Sequence, residues 1–152
     1  MKSVTRLLGM YDTPQDFWLR KRNLQDRLVE LIGSYGYRYL ETPILESTEL
    51  FLRKAGGELA SRMYSFTDAG SNHVSLRPEF TSPIVRHYLE QAPDVALPAR
   101  WQYAGPVFRY DKDGQGRGQF TQVGAELLGS SSVMADVELL GLAAHGPSQL
   151  GL

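Results

Sequence analysis

The chain has 152 residues, of which 42% are hydrophobic and 22% charged, values typical of an ordinary soluble globular domain. Sixteen basic and seventeen acidic residues leave a net charge of −1, so the overall charge does not indicate a nucleic-acid binder. The absence of cysteine excludes disulfides, a thiol nucleophile and a cysteine zinc site, and His73, His87 and His145 lack metal-ligand spacing. No apolar run approaches the length of a membrane span and no signal-type segment follows Met1, so a cytoplasmic location is expected.

The first half of the chain is predicted to begin with a long helix. Pro14 is its expected first residue and Thr13 its N-cap, and apolar residues recur at helical spacing until Gly36 ends it. A short strand over Tyr37–Leu40 is expected to end at Pro43, because proline cannot donate a ladder hydrogen bond. A short helix is then predicted over Thr48–Lys54. Met63–Thr67 and His73–Leu76 are predicted to be the two strands of a hairpin.

The second half is predicted to place a long hairpin between two helices. Thr81–Gln91 is amphipathic and predicts a helix, and Arg100–Tyr110 and Gln119–Leu128 predict strands joined by a glycine-rich turn. A last helix is expected to follow and to break at Gly146 and Pro147. Hairpins predominate over strand–helix–strand crossovers, so the pattern favours an α+β fold with an antiparallel sheet flanked by helices.

The strongest indication of a binding site comes from Leu76–Thr81, which reads L-R-P-E-F-T, and from the second strand of the long hairpin. Along that strand Phe120, Gln122 and Glu126 recur at even spacing, and alternate side chains of a strand point to one face. Arg109 reaches the same face from the neighbouring strand. Glutamine and glutamate are costly to bury unless they are paired, so this face predicts a site for a small zwitterion and a nucleotide.

Several motifs occur in a specific order along the chain. G-M-Y-D, S-Y-G-Y and T-P-I-L-E come first, R-M-Y-S-F-T-D leads into L-R-P-E-F-T, and G-P-V-F-R-Y-D and F-T-Q-V-G-A-E-L-L-G lie on the long hairpin. In combination they resemble the catalytic core of class II aminoacyl-tRNA synthetases, and within that class the histidyl-tRNA synthetase type. The similarity runs from about Gly9 to Leu152 and covers the first and second motifs of the class. Residues 1–152 are therefore expected to form a partial core, with the third motif and any C-terminal domain beyond them.

The resemblance implies a histidine–tRNA ligase core that binds histidine and ATP and forms histidyl-adenylate for tRNA charging. The α-ammonium of histidine would be bound by three hydrogen-bond acceptors, namely Glu79, Thr81 and Gln122. Glu126 would accept from the imidazole. Arg109, the implied catalytic residue, would bridge the amino-acid carboxylate and the α-phosphate, since a planar guanidinium suits paired oxygens.

The resemblance also implies how ATP binds and how the chain associates. Phe120 would stack on adenine, Asp111 would accept from its amino group, and Arg117 would meet the outer phosphates. ATP would bind as a substrate together with Mg²⁺, and no resident cofactor or metal site is expected. Catalysis would come from positioning of the reactants and from charge neutralisation. The long helix and the Thr42-Pro43 segment resemble the motif through which class II cores pair, so a homodimer is expected.

A second function is implied by a related family member, the regulatory subunit of ATP phosphoribosyltransferase in histidine biosynthesis. It resembles the same core, binds histidine without aminoacylation, and would have the catalytic subunit of that enzyme as its partner. Asp111 in place of the usual Glu, the short arginine-poor loop Lys112–Gly118, and Thr121 in place of a common histidine are departures from the ligase pattern. The intact G-P-V-F-R-Y and L-R-P-E segments favour the ligase, which is the main hypothesis. A third class, an interaction module that binds neither histidine nor ATP, would differ in failing to bind histidine.

Structural explanations also apply to several of these residues. Glu79 could serve only to offset the dipole of the helix that follows it. Arg77 is expected to be a structural partner for a carboxylate rather than a ligand. The glycine-rich turn around Gly116 could be a plain hairpin connection, and Asp111 could lie in a solvated turn.

Overall fold

The computed structural model of the chain describes residues 3–53, 57–92, 94–111 and 116–151. The elements in chain order are α1 (Gln15–Ser34), β1 (Arg38–Tyr39), β2 (Leu45–Ser47), α2 (Thr48–Leu52), α3 (Gly57–Ala60), β3 (Ser65–Thr67), β4 (His73–Leu76), α4 (Thr81–Gln91), β5 (Ala99–Phe108), β6 (Gln119–Leu128) and α5 (Val133–Gln149). Helices and small sheets alternate along the chain, which confirms the α+β fold class.

The described strands form two three-stranded sheets, ordered β1-β5-β6 and β2-β4-β3. In the second sheet both strand pairs are antiparallel, and Ser75 lies opposite Glu46 on one side and Ser65 on the other. In the first sheet β1 runs parallel to β5, with Arg38 opposite Trp101. Neither this parallel pair nor strand β2 is predicted by the sequence, because turn patterns identify only strands that are neighbours along the chain.

Strands β5 and β6 form the predicted long hairpin. The backbone N–H of Arg109 donates to the carbonyl oxygen of Gly118 at 2.9 Å. The ring of Tyr103 lies against Gly124. The sequence separation between Arg109 and Tyr103 equals that between Gly118 and Gly124, but in the opposite direction. The two strands therefore run antiparallel and keep one register between these pairs. The bounds of β6 agree with the prediction, whereas β5 ends at Phe108, just before Arg109.

The chain divides into two compact units. The first contains Met1–Thr13, Thr42–Arg86 and Gly105–Gln122, and the second contains Pro14–Glu41, His87–Ala104 and Val123–Leu152. The core of the first unit is built on Phe51, Phe80, Ile84 and Val107, each at most 1% exposed. Burial of side chains of this size contributes about 1.5–3 kcal/mol each to folding.

The second unit has a separate core around Ile32, Tyr37 and Leu142. The residues of β6 that pack against this core are Val123, Ala125 and Leu127. They occupy alternate positions of the strand. Helices α1 and α5 therefore cover one face of β6, and the opposite face presents the side chains of the even-numbered residues.

Two of the predicted helix boundaries are wrong. Pro14 has a ψ of 154°, which is extended, so it is the N-cap of α1 and Gln15 is the first helical residue. The last helix does not break at Gly146 and Pro147, since α5 continues to Gln149. Proline removes only one helical hydrogen bond so close to a helix end, and Arg27 Nη2 donates to the carbonyl oxygen of Gln149 at 2.5 Å, which helps to hold the final turn.

The predicted end of the long helix at Gly36 is confirmed, whereas the strands predicted over Tyr37–Leu40 and Met63–Thr67 are shorter, at Arg38–Tyr39 and Ser65–Thr67. Gly36 adopts a φ of +87° directly after the Tyr35 C-cap, a conformation that glycine adopts at no steric cost. The predicted helix over Thr48–Lys54 ends at Leu52, and Lys54 lies outside the described residues.

Candidate functional site

The segment before α4 is held in place by Arg77, which is only 3% exposed. Its Nη1 donates to the carbonyl oxygen of Thr42 at 2.6 Å and its Nε to that of Pro106 at 3.0 Å. Its guanidinium also lies 4.0 Å from the centre of the Phe80 ring. These contacts tie three separate segments of the first unit together, so Arg77 has a structural role, with carbonyl oxygens as the acceptors shown here in place of the predicted carboxylate.

Glu79 and Thr81 lie at the start of α4, directly after this anchored segment. Both carboxylate oxygens of Glu79 accept from the backbone N–H of Ser82 at 3.1 Å. Glu79 therefore caps the helix, as its structural explanation predicts. A carboxylate has about four acceptor positions, so one backbone donor leaves capacity for a further cation.

Arg109 lies next to this helix start. Its Nε donates to the carbonyl oxygen of Pro78 at 2.9 Å, and its guanidinium lies 5.1 Å from the centre of the Phe120 ring. The structure thus brings Arg109 beside both the L-R-P-E segment and the aromatic residue that is predicted to meet adenine. The side chains of Arg109 and Phe120 are half-buried, so one side of each remains accessible.

Gln122 has a buried side-chain carbonyl oxygen that accepts no hydrogen bond from the residues that the structure describes. Such an unpaired acceptor destabilises the folded chain by about 1–3 kcal/mol. An incoming ammonium group would satisfy it. Tyr37 and Gln102 also carry a buried polar atom without a hydrogen-bond partner among the described residues, so the predicted role of Gln122 toward the ammonium stays a prediction.

The predicted nucleotide-binding residues Asp111 and Arg117 lie on either side of residues 112–115, which are outside the described part of the chain. Asp111 Oδ2 accepts from the backbone N–H of Gly116, so the carboxylate contacts the chain where the described residues resume. Arg117 is exposed, and its guanidinium lies 5.7 Å from the centre of the Tyr11 ring. These contacts are compatible with the structural explanation for Asp111, and its proposed role toward adenine stays a prediction.

Glu126 belongs to the second unit, together with Tyr103. The hydroxyl of Tyr103 lies 3.5 Å from Glu126 Oε1, and both side chains lie on the face of the hairpin opposite α1 and α5. Tyr103 was not among the predicted site residues. The hairpin register could have identified it, because a residue of β5 that faces Gly124 is a diagonal neighbour of Glu126.

A strong ion pair lies on the other face of β5. Arg100 binds Glu138 of α5 through two hydrogen bonds of 2.8 Å. These bonds lower the pKa of Glu138 from its ordinary value of 4.5 to about 2. The pair joins β5 to α5 and involves none of the predicted site residues, which indicates a structural role.

None of the helices in the described part of the chain is both long and apolar enough to cross a membrane. Nor do the described His, Asp and Glu residues form a group of three or more that could bind a metal ion.

Comparison with protein families matches residues 9–152 to the family described as histidyl-tRNA synthetase. Among curated proteins, the histidine–tRNA ligase of Methanocaldococcus jannaschii is 40% identical over 134 residues, which are 88% of this chain and 32% of that protein. That of Pseudothermotoga lettingae is 42% identical over 148 residues, 94% of this chain and 33% of that protein. The chain thus spans about a third of the length of these relatives.

Solved structures agree with this assignment. An ATP phosphoribosyltransferase regulatory subunit/histidyl-tRNA synthetase from Bacillus halodurans C matches with a TM-score of 0.90 and 31% identity, covering 100% of this chain and 39% of that one. The apo histidyl-tRNA synthetase of S. aureus matches with a TM-score of 0.81 and 32% identity, covering 99% and 35%. The motifs, the fold and these similarities agree, and the chain belongs to the histidyl-tRNA synthetase family.

Proposed function

We propose that this chain is the histidine- and ATP-binding part of a histidine–tRNA ligase core, which forms histidyl-adenylate for tRNA charging. Family membership over residues 9–152 supports the proposal. The observation that carries it is the unpaired, buried Oε1 of Gln122, an acceptor that is still without a donor among the described residues. tRNA would be the second substrate, and a cytoplasmic location follows from this function.

The amino-acid end of histidine is proposed to bind in the first unit. Glu79, Thr81 and Gln122 would accept hydrogen bonds from the α-ammonium, which is a strong donor with three N–H groups. Arg109 would pair with the carboxylate. Its bond to Pro78 and its position against Phe120 support this role, because they already fix the direction of the guanidinium.

The imidazole of histidine is proposed to donate a ring N–H to Glu126. A charged acceptor discriminates strongly among amino acids, since a side chain without an N–H would desolvate the carboxylate and give no hydrogen bond in return. Leucine should therefore be rejected although it is of similar size.

ATP is proposed to bind with Mg²⁺ as its substrate complex. Phe120 would stack on adenine, Asp111 would accept from the adenine amino group, and Arg117 would contact the outer phosphates. A histidine carboxylate oxygen would attack the α-phosphorus while the bond to the bridging oxygen breaks and pyrophosphate leaves. Arg109 would neutralise charge on both reacting groups, so that catalysis comes from positioning and electrostatics.

Calorimetric titration with histidine tests this function. Glu126→Ala should weaken histidine binding by about 1–3 kcal/mol, because a buried ring donor is left unpaired. Glu30→Ala, an exposed substitution on α1, is the matched control and should leave the affinity unchanged. Equal affinities for histidine and leucine would contradict the proposal.

A second candidate function is that of a regulatory subunit of ATP phosphoribosyltransferase, which would bind histidine and pair with the catalytic subunit. The structural match to the B. halodurans protein, whose description names both functions, favours keeping this candidate. Histidine-dependent exchange of pyrophosphate into ATP separates the two. Exchange indicates the ligase, and histidine binding without exchange by the whole protein indicates the regulatory subunit. In either case the exchange by the 152-residue chain is expected to be weak or absent.

We also propose that the chain pairs as a homodimer through α1. Phe17, Trp18 and Leu24 are 44%, 47% and 43% exposed on this helix. Phe17 and Leu24 lie two turns apart on one side of α1 with Trp18 next to them, and large apolar side chains clustered on a surface mark an interaction site. A two-fold contact would bury the same residues of both copies. Light scattering should report twice the mass of one chain, and Trp18→Lys should shift it to the monomer. A wild-type monomer at micromolar concentration would contradict this proposal.

A further inference from the structure

Tyr103 occupies a tightly packed position on β5. Its side chain is buried, with the residue only 5% exposed, and its hydroxyl points along the sheet toward Glu126 Oε1 at 3.5 Å. Buried tyrosine hydroxyls usually have a hydrogen-bond partner, and a carboxylate is a strong one. The Tyr103 hydroxyl is therefore directed at Glu126, the residue that is proposed to recognise the imidazole.

Gly124 provides the space that this ring occupies. A Cβ atom at position 124 would lie 2.6 Å from Cζ and 2.9 Å from Cε2 of Tyr103. Side-chain atoms do not approach so closely, and a ring that is almost wholly buried has little room to move. The glycine between Gln122 and Glu126 thus allows the tyrosine to lie flat across β6.

We propose that Tyr103 is a specificity-determining positioning residue, which orients the Glu126 carboxylate for recognition of a ligand ring N–H. This inference rests on the proposed histidine-binding function. A hydroxyl that donates to one carboxylate oxygen restricts the rotation of the Glu126 carboxylate, which fixes the plane in which it can accept from a ring N–H. The distance of 3.5 Å is longer than the usual O–H···O range of ~2.5–3.0 Å, and such bonds shorten when the ligand completes the site.

The test compares histidine affinity, by calorimetry, in wild type, Tyr103→Phe, Glu126→Ala and the double variant. Tyr103→Phe keeps the ring and should weaken histidine binding roughly tenfold, because it removes one hydrogen bond to a charged group. In the Glu126→Ala background the same substitution should have no further effect, since nothing is left to orient. Gly124→Ala, which displaces the ring, should also weaken binding. Tyr39→Phe is the matched control, because Tyr39 donates its hydroxyl bond to the Ala104 carbonyl oxygen at 2.8 Å and is not part of the proposed site.

The outcomes separate this inference from the function on which it rests. Wild-type affinity in Tyr103→Phe, alongside a loss in Glu126→Ala, overturns the positioning role and leaves the proposed function intact. An equal loss from Tyr103→Phe in both backgrounds also overturns it, because a purely structural effect does not depend on Glu126. A wild-type chain that does not bind histidine overturns both. Thermal unfolding of each variant identifies any loss of affinity that comes from unfolding.

Discussion

Arg109 donates a hydrogen bond from its Nε to the carbonyl oxygen of Pro78 at 2.9 Å. This bond joins the end of β5 to the segment that places Glu79 and Thr81 at the start of α4. Two motifs that are distant in the sequence therefore share one anchor in the first unit. The remaining guanidinium N–H groups give Arg109 the capacity to bind further oxygens in a fixed direction.

The first prediction concerns Arg109→Ala. We expect ATP binding to weaken by about 1.5–3 kcal/mol and histidine binding to change much less, because most of the charge that Arg109 would face is phosphate. Separate calorimetric titrations with each ligand measure the two effects. Arg22→Ala, which removes only an exposed ion pair with Asp26, is the control. Equal losses for both ligands would argue against this assignment.

The second prediction concerns Gln122→Met, in which a side chain of similar volume carries only a weakly accepting sulfur in place of the amide oxygen. The free energy of unfolding of the ligand-free chain should rise by up to about 1–2 kcal/mol, since an unpaired buried carbonyl oxygen is removed. Histidine binding should weaken at the same time. Gln119→Met, on the exposed start of the same strand, should change neither quantity. Thermal unfolding and calorimetry measure them, and an unchanged histidine affinity would remove Gln122 from the site.

The third prediction concerns Gly105, where the backbone of β5 passes close to Arg77. A Cβ atom there would lie 2.8 Å from Arg77 Nη2 and 3.1 Å from Phe80 Cζ. Because both neighbours are buried, Gly105→Ala should destabilise the chain by about 1–3 kcal/mol. Gly141→Ala is the matched control, since its Cβ would meet no atom within 4 Å, and a helical alanine should stabilise by about 0.5–1 kcal/mol. Denaturant unfolding would show opposite shifts, and equal shifts would contradict the close packing at Gly105.

The fourth prediction concerns pH. The pKa of Glu138 is lowered to about 2 by its hydrogen bonds from Arg100, so the folded chain favours the ionised carboxylate. This contribution is fully present above the unfolded pKa of 4.5 and is lost as the pH falls toward 2. Glu138→Gln should lower the Tm by about 2–4 °C at pH 7 and by less at pH 3. A difference that stays constant between these two pH values would show that the charge of Glu138 does not stabilise the fold.

Local sequence patterns determine much of this chain. The bounds of α4 and β6 follow from apolar periodicity, because a helix or strand exposes one face to the core at a regular spacing. The same alternation separates Gln122 and Glu126 from the core-facing residues of β6. The ordered motifs also identify the family, and the family comparison confirms it.

Other features depend on contacts between residues that are distant in the sequence. The parallel pairing of β1 with β5, the bond from Arg109 to Pro78, and the Arg100–Glu138 ion pair join segments whose separation no local pattern encodes. The approach of Tyr103 to Glu126 requires the register of the hairpin and the missing side chain of Gly124. Sequence alone therefore determines which residue types are present and on which face of an element they lie. Only the tertiary structure decides which partner each of them meets, because packing and hydrogen bonding act across space rather than along the chain.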